Sequence, residues 1–448
     1  MNGFSCDAAV IVVEMGAPGH SGPAAVIGAG AAGMAAALSL HERGKSVMLI
    51  DREEAMGGIL LQCIHNGFGL QHFGEELTGP EFASRFEQRV RAAGIPFRDG
   101  STVLSLERTD SGFALGLSSS RRGYELIECR AVVLAMGSRE RNRGNIRIAG
   151  SRPAGVFTAG LAQRLLNIDG YVPGKKAVII GSGDIGLIMA RRMTLSGAEV
   201  AAVVEIQSSP SGLTRNIAQC LNDFDIPLHL SHATLRILGR DRVTGVEIAP
   251  MENGAVQTGK SFVIGCDTVL LSVGLVPENE LSARTGVALS QVTNGPLVDS
   301  RLMTSVPGVF AAGNVLHIHD LVDRVAEEAI RAGKSCADWL DSAGDPASGG
   351  HERGPEIPLR AGTNVRYAVP SSFDPSRATR VSLRSLVPFE RARLVLTREG
   401  REVWSRKLSW VTPGEMIACD IPAGLSAGGA AGQGACTVSL TGDEGGSN

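Results

Sequence analysis

Two glycine clusters, each followed at nearly the same interval by an acid, are the chemistry-bearing pattern of this chain. The first reads Gly28-Ala-Gly30-Ala-Ala-Gly33 and leads to Asp51. The second reads Gly181-Ser-Gly183-Asp-Ile-Gly186 and leads to Glu205, so the acid lies 23 or 24 residues beyond the first glycine in each case. In this pattern the first glycine permits a tight turn, and the second lets backbone N–H groups approach a pyrophosphate. The third lets a helix pack closely on a strand, and the helix N-terminus then faces the phosphate charge. An acid at the end of the next strand accepts hydrogen bonds from a ribose diol, the role expected of Asp51 and Glu205.

The elements that would position these turns repeat with them. Ala24–Ile27 is an apolar run entering the first glycine turn, an alanine-rich helical stretch follows to Gly44, and Lys45–Ile50 forms a second strand. Lys176–Ile180, a helix to Gly197 and Val200–Val204 repeat the unit 153 positions later. Each copy is followed by another apolar strand, Ala131 to Gly137 and Thr268 to Gly274, placing Ala135, Gly137 and Gly274 among the candidate cofactor contacts. Hairpins are expected over Phe97–Leu117, turning at Asp110-Ser-Gly112, and over Pro227–Ile248. After residue 357 the pattern is strand-like, with strands expected at Ala378–Leu386, Arg391–Thr397, Glu402–Leu408, Glu415–Ile421 and Cys436–Leu440. The glycine- and alanine-rich stretch 423–434 reads as flexible.

Composition narrows the function classes. The chain has 448 residues and a formal charge of −3, so no basic field exists to hold nucleic acid. Aromatics are 4%, too few for stacking platforms, whereas 57 glycines suit close backbone approaches. The eight cysteines are scattered without C-x-x-C spacing, which excludes a local zinc knuckle, iron–sulfur set or redox pair. Scattered thiols, no apolar run near the ~20 residues of a membrane span, and no basic leader predict a reduced, cytoplasmic protein. On an extended strand His317 and His319 would share one face near Asp320 and Asp323, but tetrahedral zinc needs further ligands, so no metal is expected. Asp320 reads instead as a helix N-cap with Asp323 at the third position.

A later strand and turn, Gly308-Val-Phe-Ala-Ala-Gly313-Asn314, completes an ordered set of five motifs. Together they resemble the two-dinucleotide-domain flavoproteins of the pyridine nucleotide-disulfide oxidoreductase family, over about residues 24–340. The resemblance implies an α/β fold with two Rossmann-like domains, one inserted in the other, plus a small C-terminal all-β module. Its domains would be an N-terminal extension (1–23), an FAD-binding domain (24–150 and 276–341), an inserted NAD(P)-binding domain (151–275), a linker (342–357) and the β module (358–448). FAD would sit on the first glycine turn, with Gly58, Gly313 and Asn314 beside it, and NAD(P)H on the second. Asn314 replaces the family's usual aspartate. Glu205 would repel a 2′-phosphate and favour NADH, while Gln207, Ser208 and Ser209 are the alternative phosphate partners.

Where a disulfide reductase of this family carries its cysteine pair, the chain reads Gly57-Gly58-Ile-Leu-Leu-Gln62-Cys63-Ile-His65-Asn66-Gly67-Phe-Gly69. Cys63 has no partner nearby, so dithiol chemistry is not expected. Cys63 and His65 are the catalytic candidates, tuning or protonating a reduced flavin; simple packing is the alternative. This stretch, with Asn314-Val-Leu-His-Ile-His-Asp-Leu-Val-Asp, resembles a narrower group accompanying glycerol-3-phosphate dehydrogenase-like and opine- or amino-acid-oxidising flavoenzymes. The resemblance implies an FAD-dependent oxidoreductase transferring hydride between NAD(P)H and FAD, whose partner is a second redox subunit. The alternatives are a stand-alone NADH oxidase or acceptor reductase, and a flavin-bearing assembly subunit whose nucleotide site is structural.

Overall fold

The computed structural model describes residues 11–14, 24–342, 356–425 and 434–442. The expected linker lies almost wholly outside the described residues, as does most of the glycine- and alanine-rich stretch 423–434.

Two five-stranded parallel sheets carry the two glycine turns. The first runs Val309–Ala311, Ala131–Leu134, Ala24–Ile27, Val47–Ile50, Phe97–Arg98 across its width, all parallel. The second runs Val156–Thr158, Thr268–Leu271, Lys176–Ile180, Glu199–Val204, Leu228–His229 on the same plan. The central strands are short, apolar and buried, as parallel strands covered on both faces must be. In the first unit the cover is the helix Ala31–Glu42 crossed by the long helix Val322–Ser342. Small side chains allow that approach: a Cβ at Gly333 would stand 2.7 Å from the Ala36 carbonyl oxygen. The alanines of Ala31–Glu42 therefore serve close packing, and the helix is buried along ten of its twelve residues.

Antiparallel layers flank both sheets. Ser101–Arg108, Phe113–Ser119 and Gly123–Cys129 form the first, turning at 109–112. Ile11–Glu14 adds to it in parallel register, Ile11 opposite Glu125. Those four residues form part of the stretch expected to be a loose extension; the structure pairs them with an open sheet edge instead. His232–Gly239, Val243–Glu252 and Phe262–Gly265 form the second layer.

Among the described residues beyond 356 every element is a strand, in sheets of five and three enclosing an apolar core that includes Phe373, Val381, Leu383, Leu394 and Leu396. The five expected strands are present, and three more precede them: Ile357–Ala361, Val365–Val369 and Ser372–Phe373. Pro358 makes the first of these look like a linker. A proline is tolerated there because its neighbour on one side, Ser372–Phe373, is only two residues long.

Candidate functional site

The fingerprint glycines do three different physical jobs. Gly28 has φ +105°, and a Cβ on it would stand 2.3 Å from the Ala135 carbonyl oxygen. A Cβ on Gly33 would stand 1.6 Å from the Gly28 oxygen. Both glycines are therefore demanded by the turn and the helix–strand contact. Gly30 is different: its φ is −74°, and a Cβ there would meet nothing within 4 Å. Neither backbone conformation nor protein packing requires glycine at this position. Gly58, at φ +54°, packs directly against the Gly30 backbone, its own Cβ position within 3.3 Å of the Gly30 Cα. The Gly57 N–H donates to the Ala29 carbonyl at 2.8 Å, pinning this second wall to the first. The result is a backbone cradle at a helix N-terminus, the shape and polarity that suit a pyrophosphate.

Asp51 closes the cradle. Its Oδ2 accepts the Ala29 N–H at 2.5 Å and its Oδ1 accepts the Glu53 N–H at 2.8 Å. Gly137, at φ +72° with nothing within 4 Å of its Cβ position, lies at the end of the neighbouring strand.

The second turn repeats the logic with tighter walls. Gly181, at φ +91°, would clash with the Ser272 carbonyl at 2.1 Å, and Gly186 with the Ser272 Cβ at 2.6 Å. Gly183 again has the loosest surroundings, its nearest neighbour being the Ser272 Oγ at 3.2 Å. Gly274 lies at φ +97° with only an Arg141 methylene, 4.0 Å away. Glu205 is more enclosed than Asp51. Its Oε2 accepts both the N–H and the hydroxyl of Ser182, at 2.9 and 2.6 Å, and its Oε1 accepts the Gln207 N–H at 3.0 Å. Oε1 retains a lone pair for a ribose hydroxyl. The exposed run Gln207, Ser208, Ser209 lies just beyond.

The loop carrying the two catalytic candidates is strapped to the second nucleotide unit. Gln62 is buried; its Nε2 donates to the Gly160 carbonyl at 2.9 Å and to the Gln163 Oε1 at 3.1 Å. The Asn167 amide donates back to the Gln62 carbonyl at 2.8 Å, and Arg192 holds Asn167 from behind. Burial pushes the Cys63 thiol up to about 12. Its Sγ points to the Ile59 carbonyl at 3.3 Å, so it is a neutral thiol at pH 7 and not a nucleophilic thiolate. All seven described cysteines are free, Cys63 among them. Burial also lowers the His65 pKa, its Nδ1 lying 3.0 Å from the Asn66 carbonyl. Its charged neighbours, Arg215, Asp184 and Arg191, all belong to the second unit.

At the late turn the structure brings in a residue that sequence spacing did not single out. Glu328, buried in the helix Val322–Ser342, accepts the Gly313 N–H at 2.8 Å on Oε1. His317 Nε2 lies 3.0 Å from its Oε2 and His319 Nε2 3.1 Å from its Oε1. Burial alone would push the Glu328 carboxyl up; the His319 and His317 imidazoles outweigh it and hold it well below the usual carboxylate range. Burial lowers His317, reinforced by its neighbour His319. Ligating atoms of these three residues lie within 4.8 Å of one another, and hydrogen bonds account for both carboxylate oxygens. Asn314 Oδ1 accepts the His319 N–H at 3.0 Å, closing the same turn.

The expected capping box is corrected. The long helix starts at Val322, and Asp320 faces away from it, pairing with Arg384 and accepting the Met416 N–H at 2.6 Å. Asp323 accepts the N–H groups of Gly69, Gln71 and His72, so it anchors the preceding loop. A weak signal for Glu328 exists in the sequence: it lies three residues after Val325 and four before the buried Ala332, on the apolar face of that helix.

Two parallel sheets, each with a glycine turn at a helix N-terminus and an acid on the next strand, define a two-nucleotide flavoprotein architecture. The chain belongs to the pyridine nucleotide-disulphide oxidoreductase family, whose model matches residues 23–335. It is thus an FAD-dependent NAD(P)H oxidoreductase by family. It is 24% identical over 348 residues to the glutamate synthase [NADPH] small chain of Escherichia coli, covering 71% of this chain and 68% of that one. It is 27% identical over 313 residues to an opine oxidase subunit of Agrobacterium tumefaciens, covering 64% of this chain and 60% of that one. The T. acidophilum thioredoxin reductase structure superposes with a TM-score of 0.60 at 25% identity, covering 72% of this chain and 98% of that one. Among the described residues, no helix is long and apolar enough to cross a membrane.

Proposed function

We propose that the chain is an FAD-containing NADH oxidoreductase working as one component of a multi-subunit dehydrogenase or oxidase. In this reading the first nucleotide unit holds FAD through Gly28, Gly30, Gly33, Asp51, Gly58, Ala135, Gly137, Gly313 and Asn314. The second, inserted between residues 151 and 275, holds the nicotinamide nucleotide through Gly181, Gly183, Gly186, Glu205 and Gly274. The β unit, expected from residue 358 onward, follows them in the chain.

The observation that carries the reading is the open cradle at Gly30. A glycine free of backbone and packing demands, facing Gly58 at a helix N-terminus, keeps space that a pyrophosphate fills. When bound, FAD supplies the two-electron acceptor for hydride from a reduced nicotinamide. Around it the chain's own groups bind and orient. Asp51 and the Ala29 N–H fix the turn, and Glu328 holds the Gly313 N–H in place. Glu205 presents one lone pair to the adenosine ribose, and its negative charge disfavours a 2′-phosphate, which supports NADH over NADPH. Cys63 and His65 lie on the loop joining the two units. A neutral thiol and a neutral imidazole there suit hydrogen bonding and proton delivery better than covalent chemistry.

The multi-component reading is supported by the names of two relatives, one the small chain of a synthase and the other a subunit of an oxidase. It also fits a flavin loop without paired cysteines, which leaves onward electron transfer to another protein.

The test is a pair of variants. Gly30→Val should purify largely without flavin while remaining folded, and Gly183→Val should retain FAD yet fail to bleach with NADH under anaerobic conditions. Full FAD in Gly30→Val, or equal loss from both, contradicts the assignment.

A further inference from the structure

We propose that the C-terminal β unit is part of the nicotinamide nucleotide site, with Arg384 and Gly414 as positioning residues that hold Ser211 against Glu205. This inference rests on the assignment of the second unit to that nucleotide.

The contacts form one continuous path. Arg384, on the strand Thr379–Ser385, is nearly buried and reaches three groups at once. One Nη donates to the Gly414 carbonyl at 2.6 Å; the other donates to the Ile318 carbonyl at 3.2 Å and pairs with Asp320. The turn at 412–415 is fixed on its far side as well: Met416 donates its N–H to Asp320, and Arg324 donates to the Met416 carbonyl at 2.7 Å. The turn is thus fastened to the segment 318–324, which leads into the long helix of the first unit.

Its tip touches the second unit. A Cβ on Gly414 would stand 2.9 Å from the Ser211 carbonyl oxygen. The Gly414 φ lies outside the left-handed region, so its backbone alone does not call for glycine; the close approach to Ser211 does. Ser211 in turn donates its N–H to the Ser182 hydroxyl at 2.9 Å, and its own hydroxyl lies 3.4 Å from Glu205 Oε2. The Ser182 hydroxyl donates to the same oxygen at 2.6 Å. Displacing Ser211 therefore disturbs the hydrogen-bond set that holds Glu205 with a lone pair of Oε1 left for a ribose. A bulky side chain at 414 has no flexible neighbour to push aside, because the obstructing atom is backbone.

A residue that orients ground-state binding changes affinity and leaves the maximal rate intact. The experiment measures NAD⁺ binding to the FAD-loaded full chain by calorimetry, in wild type, Gly414→Ala and Gly414→Val. Melting temperature and FAD content are recorded for each. The expected result is Kd rising in that order, by about tenfold for valine, with FAD content unchanged. Flavin bleaching at saturating NADH should keep its wild-type rate. Arg384→Met, which releases the turn without adding bulk, should raise Kd in the same direction. Unchanged Kd in folded, FAD-loaded Gly414→Val overturns the proposal, as does an Arg384→Met Kd equal to wild type. Wild-type protein that binds no NAD⁺ at all would instead overturn the nucleotide assignment beneath it.

Discussion

At the scale of single residues, glycine identity alone does not tell which positions serve a ligand and which serve the fold. Gly28, Gly30 and Gly33 look equivalent in the sequence, yet only Gly30 has free space around its Cβ position. Gly33→Ala should cost about 3 kcal/mol or more, since its Cβ would stand 1.6 Å from a backbone oxygen that cannot yield. Urea unfolding of the FAD-loaded protein would measure it. Gly30→Ala should leave stability of the FAD-free protein nearly unchanged. The buried His317 adds a pH dependence with a definite sign. Its pKa is lowered in the folded protein, so below the ordinary imidazole value of about 6.5 the unfolded chain binds more protons and stability falls. The depressed Glu328 acts in the same direction at lower pH, losing its contribution as the pH falls through its folded value. Melting temperature should therefore decline from pH ~7.5 to pH ~5.5, and His317→Gln should show a shallower slope over that window. Equal slopes would contradict the account.

At the scale of elements, periodicity and apolar runs made the nucleotide-binding strands and both glycine turns legible, because parallel strands buried on both faces are short, apolar and bounded by glycine. The five later strands were legible for the same reason of pattern. Ile357–Ala361 was not, since Pro358 and its polar surroundings imitate a linker and pairing with the distant Cys436–Gly442 and with Ser372–Phe373 makes it a strand. The strap through Gln62 was also invisible. A polar residue becomes a buried tie only when a distant helix, Ala159–Asn167, supplies the partner groups. Gln62→Ala leaves the Gly160 carbonyl without this donor and should cost about 1–3 kcal/mol. The loss should appear as faster proteolysis of the 58–70 loop, with the strands beneath it still protected. Protection equal to wild type would show that the strap does not hold the loop. Asp320 illustrates a different failure. Its spacing to Asp323 fits a helix cap, but the partner that claims it, Arg384, lies 64 residues further on.

At the scale of the whole molecule, two parallel sheets of the same plan each carry a glycine turn, and the C-terminal strands reach the chain around both through Arg384 and Gly414. Among the described residues, no helix is long and apolar enough to cross a membrane. The order of units was legible because each unit is announced by local motifs. The β unit's contact with Ser211 was not, because it joins residues about two hundred positions apart with no shared pattern. Family membership, the open cradle at Gly30 and the second glycine turn support the central proposal: the first site holds FAD and the second delivers electrons to it from a reduced nicotinamide. Anaerobic titration of the purified, FAD-loaded chain with NADH, followed at the flavin absorbance, tests this most directly. The account predicts full bleaching near one equivalent of NADH, with NADPH reacting at a lower kcat/KM. A flavin that stays oxidised under excess NADH and NADPH would contradict it.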